Sequence, residues 1–224
     1  MLKKITVLFL LCYSGMLYAQ GGTPFLSDAN GRLITLRNAG YKADGSPYLF
    51  DDYYPSDITF QNGKVYKNIK SKFNVSENQL IFLDDAGNEM VAATPIKSLK
   101  ITKPDSVQLY LESPGTSINL SRAPVYQVLV NNEKLKLLKQ IVITFSESRQ
   151  YGDGEMTRIY KRRESYFAAF PGQAPQKFEK NKNAVAAIFG DKQQQISAYI
   201  DQQKFRFKTD ADLINIFEYF LTLK

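Results

Sequence analysis

The side chains best equipped for chemistry in this sequence are ionic and aromatic. Arg158, Lys161, Arg162 and Arg163 form a dense basic cluster after the turn-like Tyr151-Gly152-Asp153-Gly154. Such a cluster suits phosphate, carboxylate or an acidic glycan, because guanidinium and ammonium donors make charge-assisted hydrogen bonds to those groups. Glu155 and Glu164 stand beside it, and cross-strand pairing would neutralise part of the charge. A solvated face of a hairpin is therefore the favoured reading. Tyr48, Phe50, Tyr53 and Tyr54 surround Asp51-Asp52, either as a binding lip or as the first packed edge of a sheet, with packing favoured. Glu112, Glu147, Glu155, Glu164, Asp51 and Asp52 are the candidates for a glycosidase acid and base. Spacing singles out no pair among them, and the chain has no Trp, the favoured platform for stacking sugars.

What is absent narrows the chemistry further. With no His and only Cys12 as a thiol, Ser-His-acid and Cys-His nucleophilic sites cannot be built. Ser71 with Lys72, and Ser98 with Lys100, have the wrong spacing for a Ser-x-x-Lys motif. Zinc, copper and iron sites draw on His or Cys, which leaves hard cations held by carboxylates. The calcium candidates are Asp28-Ala29-Asn30-Gly31 and Asp84-Asp85-Ala86-Gly87-Asn88-Glu89. Neither completes the acidic pattern of a calcium loop, and both have the residues that a tight turn needs for its own backbone. No catalytic residue, metal site or cofactor is assigned.

The first nineteen residues give an address. Lys3 and Lys4 precede an apolar run from Ile5 to Met16, and Leu17-Tyr18-Ala19 forms a cleavable end before Gln20. The run is shorter than the roughly 17–25 apolar residues of a membrane-spanning helix, so residues 1–19 read as a signal peptide. Leu10 and Leu11 before Cys12 are too large for a lipid-attachment site, so the exported chain is not expected to be a lipoprotein. Cleavage removes the only thiol, and disulfides with it. The formal charge of +7 includes Lys3 and Lys4, so the remainder carries +5. That moderate excess, without a recognisable basic motif, favours solubility over a nucleic-acid partner. No later stretch is apolar enough to span a membrane. Asn74-Val75-Ser76 and Asn119-Leu120-Ser121 match the glycosylation triplet, but a bacterial envelope would not use them.

The elements that must position these groups follow from periodicity. Residues 20–47 are rich in Gly, Asn, Asp and Ser and read as a loosely ordered lead-in, with Leu33-Ile34-Thr35-Leu36 a short strand. Residues 48–224 read as a single α+β domain, with strands to about residue 170 and helices from about 182. Asn62-Gly63 between β-prone runs predicts a hairpin with a type I′ turn. The returning strand puts Ile69, Phe73 and Val75 on one face, with Lys70, Lys72 and Asn74 toward water. Gln79 to Leu83, apolar on both faces, suits a covered central strand, and Met90 to Ala93 returns after a turn. Further strands are expected at Val107–Leu111, Val125–Val130, Ile141–Phe145, Met156–Tyr160 and Tyr166–Phe170. After Pro175 the period becomes helical. Val185, Ile188 and Phe189 precede a stop at Gly190, and Asp191 caps a helix carrying Ile196, Tyr199 and Ile200. After an extended link from Lys204 to Lys208, Thr209 and Asp212 resemble a capping box before a stripe of Leu213, Ile216, Phe217, Phe220 and Leu221. Three C-terminal helices then cover an antiparallel sheet.

Tyr18-Ala19-Gln20 looks like the signal ends common in Bacteroidetes. Gly45-Ser46-Pro47-Tyr48-Leu49-Phe50-Asp51-Asp52, Asn62-Gly63-Lys64-Val65-Tyr66-Lys67-Asn68-Ile69, Lys72-Phe73-Asn74, Asn78-Gln79-Leu80-Ile81-Phe82, Phe189-Gly190-Asp191-Lys192, Tyr199-Ile200 and Asp210-Ala211-Asp212-Leu213-Ile214 resemble a family of secreted proteins from that phylum. The resemblance implies export and lineage, and carries over no activity or site residue. The functional expectation is a non-enzymatic binding or structural module of the bacterial envelope, periplasmic or extracellular. Its partner would be an envelope protein, an acidic glycan or an apolar ligand. A carboxylate-dependent hydrolase acting on glycans and a carrier of an apolar ligand are the alternatives.

Overall fold

The computed structural model describes residues 41–104, 108–113, 118, 124–149 and 156–223, and the strand expected at Leu33–Leu36 lies outside them. Eleven strands join one sheet: β1 (Lys42–Asp44), β2 (Tyr54–Phe60), β3 (Val65–Asn74), β4 (Gln79–Leu83), β5 (Glu89–Val91), β6 (Ile96–Thr102), β7 (Gln108–Glu112), β8 (Tyr126–Asn131), β9 (Lys136–Ser148), β10 (Thr157–Ala169) and β11 (Gln176–Phe178). Three helices follow, α1 (Lys182–Ala187), α2 (Gln193–Gln203) and α3 (Asp210–Thr222). The strand order is β1-β10-β9-β8-β7-β6-β2-β3-β4-β5, with β11 also beside β10. The sheet is mixed rather than purely antiparallel. β1, inside the stretch read as a lead-in, pairs in parallel with Thr157–Ile159 of β10. A parallel pair needs a long connection between its strands, and here most of the sheet intervenes.

Two expectations about the hairpins change. The β2–β3 hairpin exists, but its turn is not type I′: of Asn62 and Gly63 only Gly63 has positive φ (83°), and its N–H bonds to the Phe60 carbonyl at 3.0 Å. This is a type I turn closed by a left-handed glycine, the usual three-residue hairpin loop. The segments expected at Met156–Tyr160 and Tyr166–Phe170 are parts of one strand, β10, paired along all its length with β9. The basic cluster therefore sits on the second arm of the β9–β10 hairpin, as expected, along the strand rather than at its turn. Charge hid the strand, because a ladder of backbone bonds with β9 tolerates any side chain that faces water.

The sheet rolls on itself through its twist. Phe73 of β3 and Ile141 and Ile143 of β9, at opposite ends of the run β9-β8-β7-β6-β2-β3, share one core with Ile58, Leu80, Phe82 and Leu99. A second core joins Val130, Leu137, Tyr166 and Ala168 of β8–β10 to Phe178 and the helices. There Phe189, Phe217 and Phe220 interlock, with ring centroids 5.2 Å apart for Phe189–Phe217 and 4.6 Å for Phe189–Phe220. The stripe of α3 is thus core, as its spacing predicts, and Tyr199 of α2 stacks on Tyr219 at 3.8 Å.

The helix caps differ from expectation. The Thr209 side chain makes no capping bond, and Asp212 accepts instead from the Lys208 N–H at 3.1 Å. Asp191 lies in a 3₁₀ turn, Gly190–Lys192, so Lys192 takes the cap position of α2. α1 does gain a side-chain cap, from Asn181 to the Ala184 N–H at 3.0 Å. Among the described residues, no helix is long and apolar enough to cross a membrane.

Candidate functional site

On β9, odd-numbered side chains face inward: Leu137 enters the helical core, and Ile141 and Ile143 enter the rolled core. Lys139 falls between them on the same face, its side chain 10% exposed. A buried ammonium persists only with partners. Lys139 Nζ lies 2.8 Å from Glu164 Oε2 and donates to Asp210 Oδ2 at 2.9 Å. Tyr166, directly opposite on β10, donates its hydroxyl to Asp210 Oδ1 at 2.6 Å. Lys180 Nζ stands 5.0 Å from the centre of the Tyr166 ring and donates to the Lys208 carbonyl at 3.3 Å. Asp210 is the first residue of α3, where the helix dipole also favours its charge.

Burial alone would raise the Asp210 carboxyl. Hydrogen bonds from Tyr166 and Lys139 and the charges of Lys139 and Lys180 reverse that and hold it below the usual range. Burial, then the bond to Asp210, pushes the Tyr166 phenol well above its ordinary value. Glu164 and Asp210 are the two carboxylates this seam brings together, yet both face one ammonium and Asp210 stays ionised. A general acid needs the opposite shift. The pair fits the task of fixing Lys139, and with it α3, against the sheet.

Over Lys139 the seam opens into a cleft of about 460 Å³. Phe73, Val75, Leu111, Val125 and Ile141 give it apolar walls, and Glu77, Gln127 and Lys139 supply polar groups. A second cleft of about 370 Å³ adjoins it and shares Leu49, Gln127 and Lys139 with the first. Leu49 is held at the junction by its N–H bond to the Phe73 carbonyl at 2.9 Å and accepts from Arg162 Nη1 at 3.4 Å. The volume lies in the range of small-molecule sites. Its walls are mostly aliphatic, because the Phe residues of the helical half fill their own core.

Compared with family models, curated proteins and solved structures, the chain finds no match.

The residues singled out from the sequence distribute differently. Tyr48 and Tyr53 flank Lys72, whose Nζ is 4.4 and 4.6 Å from their ring centres and 2.8 Å from Glu89 Oε1. Tyr53 donates to the same Glu89 oxygen. Lys72, expected to face water, is thus enclosed, and Asn74 is also buried. Burial, then the bond to Glu89, raises the Tyr53 phenol, while hydrogen bonds from Lys72 and Tyr53 lower Glu89. The chain's own lysine occupies this aromatic pair. Tyr54 packs edge-on to Phe50 at 5.6 Å beside the rolled core.

Alternation along β10 splits the basic cluster. Arg158 and Arg162 share the face of Tyr160 and Tyr166, while Lys161 and Arg163 point to the other, beside Thr144 and Val142. Arg158 pairs across strands with Glu147 at 2.9 Å, a partner other than the Glu155 and Glu164 expected, and lies 4.0 Å from the centre of the Tyr41 ring. Tyr160 beside it is pushed up to about 12 by burial and by its hydrogen bond with Tyr41. Arg162 bonds Glu164 at 3.2 Å, and of the four basic residues it is the one that lines either of the two clefts described above.

The remaining candidates serve structure. Glu112 accepts from Lys136 at 3.0 Å. Asp84 takes the Ala86 and Asn88 N–H groups at 2.9 and 2.7 Å, and bonds to Asn88 hold it below the usual range, so the second calcium candidate closes its own turn. Asp28–Gly31 and Glu155 lie outside the described residues. Lys139, Gln127 and Asp210 were not singled out from the sequence. One signal was present: a lysine interrupting the alternating apolar run Leu135, Leu137, Ile141, Ile143.

Proposed function

We propose that this chain is an exported, non-enzymatic binding module of the bacterial envelope, of the Bacteroidetes type that its leader and motifs resemble, and that it takes a small ligand in the seam cleft. The observation that carries this reading is the open cleft of about 460 Å³ beside the rolled core, walled by Phe73, Val75, Leu111 and Ile141 with Lys139 among its polar groups. A concave, mostly apolar cleft with a few polar groups and a volume in this range is the usual form of a small-molecule site. The state of the acids agrees with binding rather than hydrolysis, since Glu164 and Asp210 are bound to Lys139.

A thermal-shift screen of small molecules on the chain beginning at Gln20 tests the reading. At least one ligand should raise the melting temperature of that protein and leave Ser76→Trp, which places a large ring in the cleft, unmoved. Hydrolysis of a chromogenic glycoside, ester or phosphate that is lost on changing one carboxylate would refute it. So would a screen in which every stabilising ligand acts equally on Ser76→Trp.

A further inference from the structure

We infer that the ligand of the seam is a single-chain amphipathic anion, its apolar body in the larger cleft and its acidic head in the smaller; this rests on the binding reading above. The two clefts meet at Leu49, Gln127 and Lys139 but differ in character. The larger presents Phe73, Val75, Leu111 and Ile141, surfaces that bind a hydrocarbon by removing it from water. The smaller is lined by Lys103, Lys139 and Arg162 with Leu109, Leu129 and Ile214, and by no carboxylate among the described residues.

Those three cations are not equally available. Lys139 is committed to Glu164 and Asp210. Lys103 lies 4.6 Å from the centre of the Phe50 ring and makes no ion pair among the described residues. Arg162 engages Glu164 through Nε and Leu49 through Nη1 at 3.4 Å, a long and readily exchanged bond. Its side chain remains 41% exposed. An acidic head entering here meets Lys103 and Arg162. Glu77, on the wall of the larger cleft, repels the same head from the other end. Charge thus orients the molecule, and the aliphatic walls hold it.

The test is calorimetric titration of the chain beginning at Gln20 with decanoate, decanol and decyltrimethylammonium, each below its micelle concentration. Decanoate should bind about tenfold more tightly than decanol, the scale of one partly exposed charge-assisted contact, and the ammonium compound no better than decanol. Lys103→Gln with Arg162→Gln should reduce decanoate to the level of decanol and leave decanol unchanged. Arg162 is exposed and Lys103 half-buried with no ion pair among the described residues, so the melting temperature should hold, and Lys103→Gln alone should give a smaller loss in the same direction. Equal affinity for the three compounds overturns the head assignment. Decanoate binding that survives Ser76→Trp overturns the placement of the body. Sedimentation with phosphatidylglycerol vesicles without binding of monomeric decanoate would point to a bilayer surface instead, and also overturns the inference. If none of the three compounds binds while the screen finds another ligand blocked by Ser76→Trp, the amphiphile assignment fails and the cleft reading stands.

Discussion

Replacing Lys139 with Met should destabilise the protein by about 2–3 kcal/mol at neutral pH. Met keeps the apolar stem of the side chain but leaves Glu164 and Asp210 facing each other without their ammonium. Removing one partner of a fully buried pair costs roughly 3–5 kcal/mol. The two carboxylate side chains here remain 35% and 30% exposed, and Asp210 retains the Tyr166 hydroxyl and the nearby Lys180, so the lower figure applies. For a domain of this size the loss corresponds to a fall in melting temperature of roughly 4–12 °C. The pH dependence follows from Asp210, whose carboxyl is held down in the folded state. Its contribution is complete above the unfolded value of about 3.9 and is lost as pH falls through the folded value. The gap between the parent and Lys139→Met should therefore be full at about pH 7 and narrow below about pH 4, as the carboxylates that have lost their shared ammonium take up protons. Urea denaturation followed by far-ultraviolet circular dichroism at both pH values measures it. A loss below about 0.5 kcal/mol at neutral pH, the size of an ordinary surface change, would refute the reasoning, as would a gap that stays constant with acidification.

Four other outcomes are expected. Gly45→Ala should cost more than Gly63→Ala by urea titration: both glycines have positive φ, but a Cβ on Gly45 would sit 3.1 Å from the Tyr160 carbonyl oxygen whereas one on Gly63 meets nothing. The left-handed backbone accounts for about 1–2 kcal/mol at each, and the contact adds to it only at Gly45. Phe217→Ala, at a fully buried position where two aromatic rings meet, should lose about 3–5 kcal/mol and loosen the helices, read as faster amide exchange across α1 and α3. Glu89→Gln should lower the Tyr53 pKa in a spectrophotometric tyrosine titration, since the bond to Glu89 and its charge raise that phenol beyond the effect of burial. Lys161→Ala and Arg163→Ala, on the solvated face of β10, should each change stability by less than about 0.5 kcal/mol.

The helices were the most legible part of the chain. Leu213, Ile216, Phe217 and Phe220 repeat at the helical period, and a stripe that wide has to be buried. Short strands with alternating residues were legible for the same reason, as at Val125–Val130. β10 was not, because Lys161 to Glu164 is as polar as any loop and only its register with β9 makes it a strand. β1 and β11, three residues each, have too little pattern to stand out and exist only as partners of β10. The aromatic cluster near Tyr48 was visible as a cluster, but its occupant, Lys72, comes from another strand.

Taken alone, the amino-acid order determined the available chemistry: with no His and a single Cys near the start, the work falls to carboxylates, amines, hydroxyls, aromatics and backbone. It also determined the three helices and the short alternating strands, since period and turn residues act locally. Only the tertiary structure decided which polar groups meet. Lys139, Glu164 and Asp210 come from β9, β10 and α3, and rolling of the sheet brings β3 across to β9, where the cleft opens. Such meetings depend on long-range register and twist, which local periodicity does not encode.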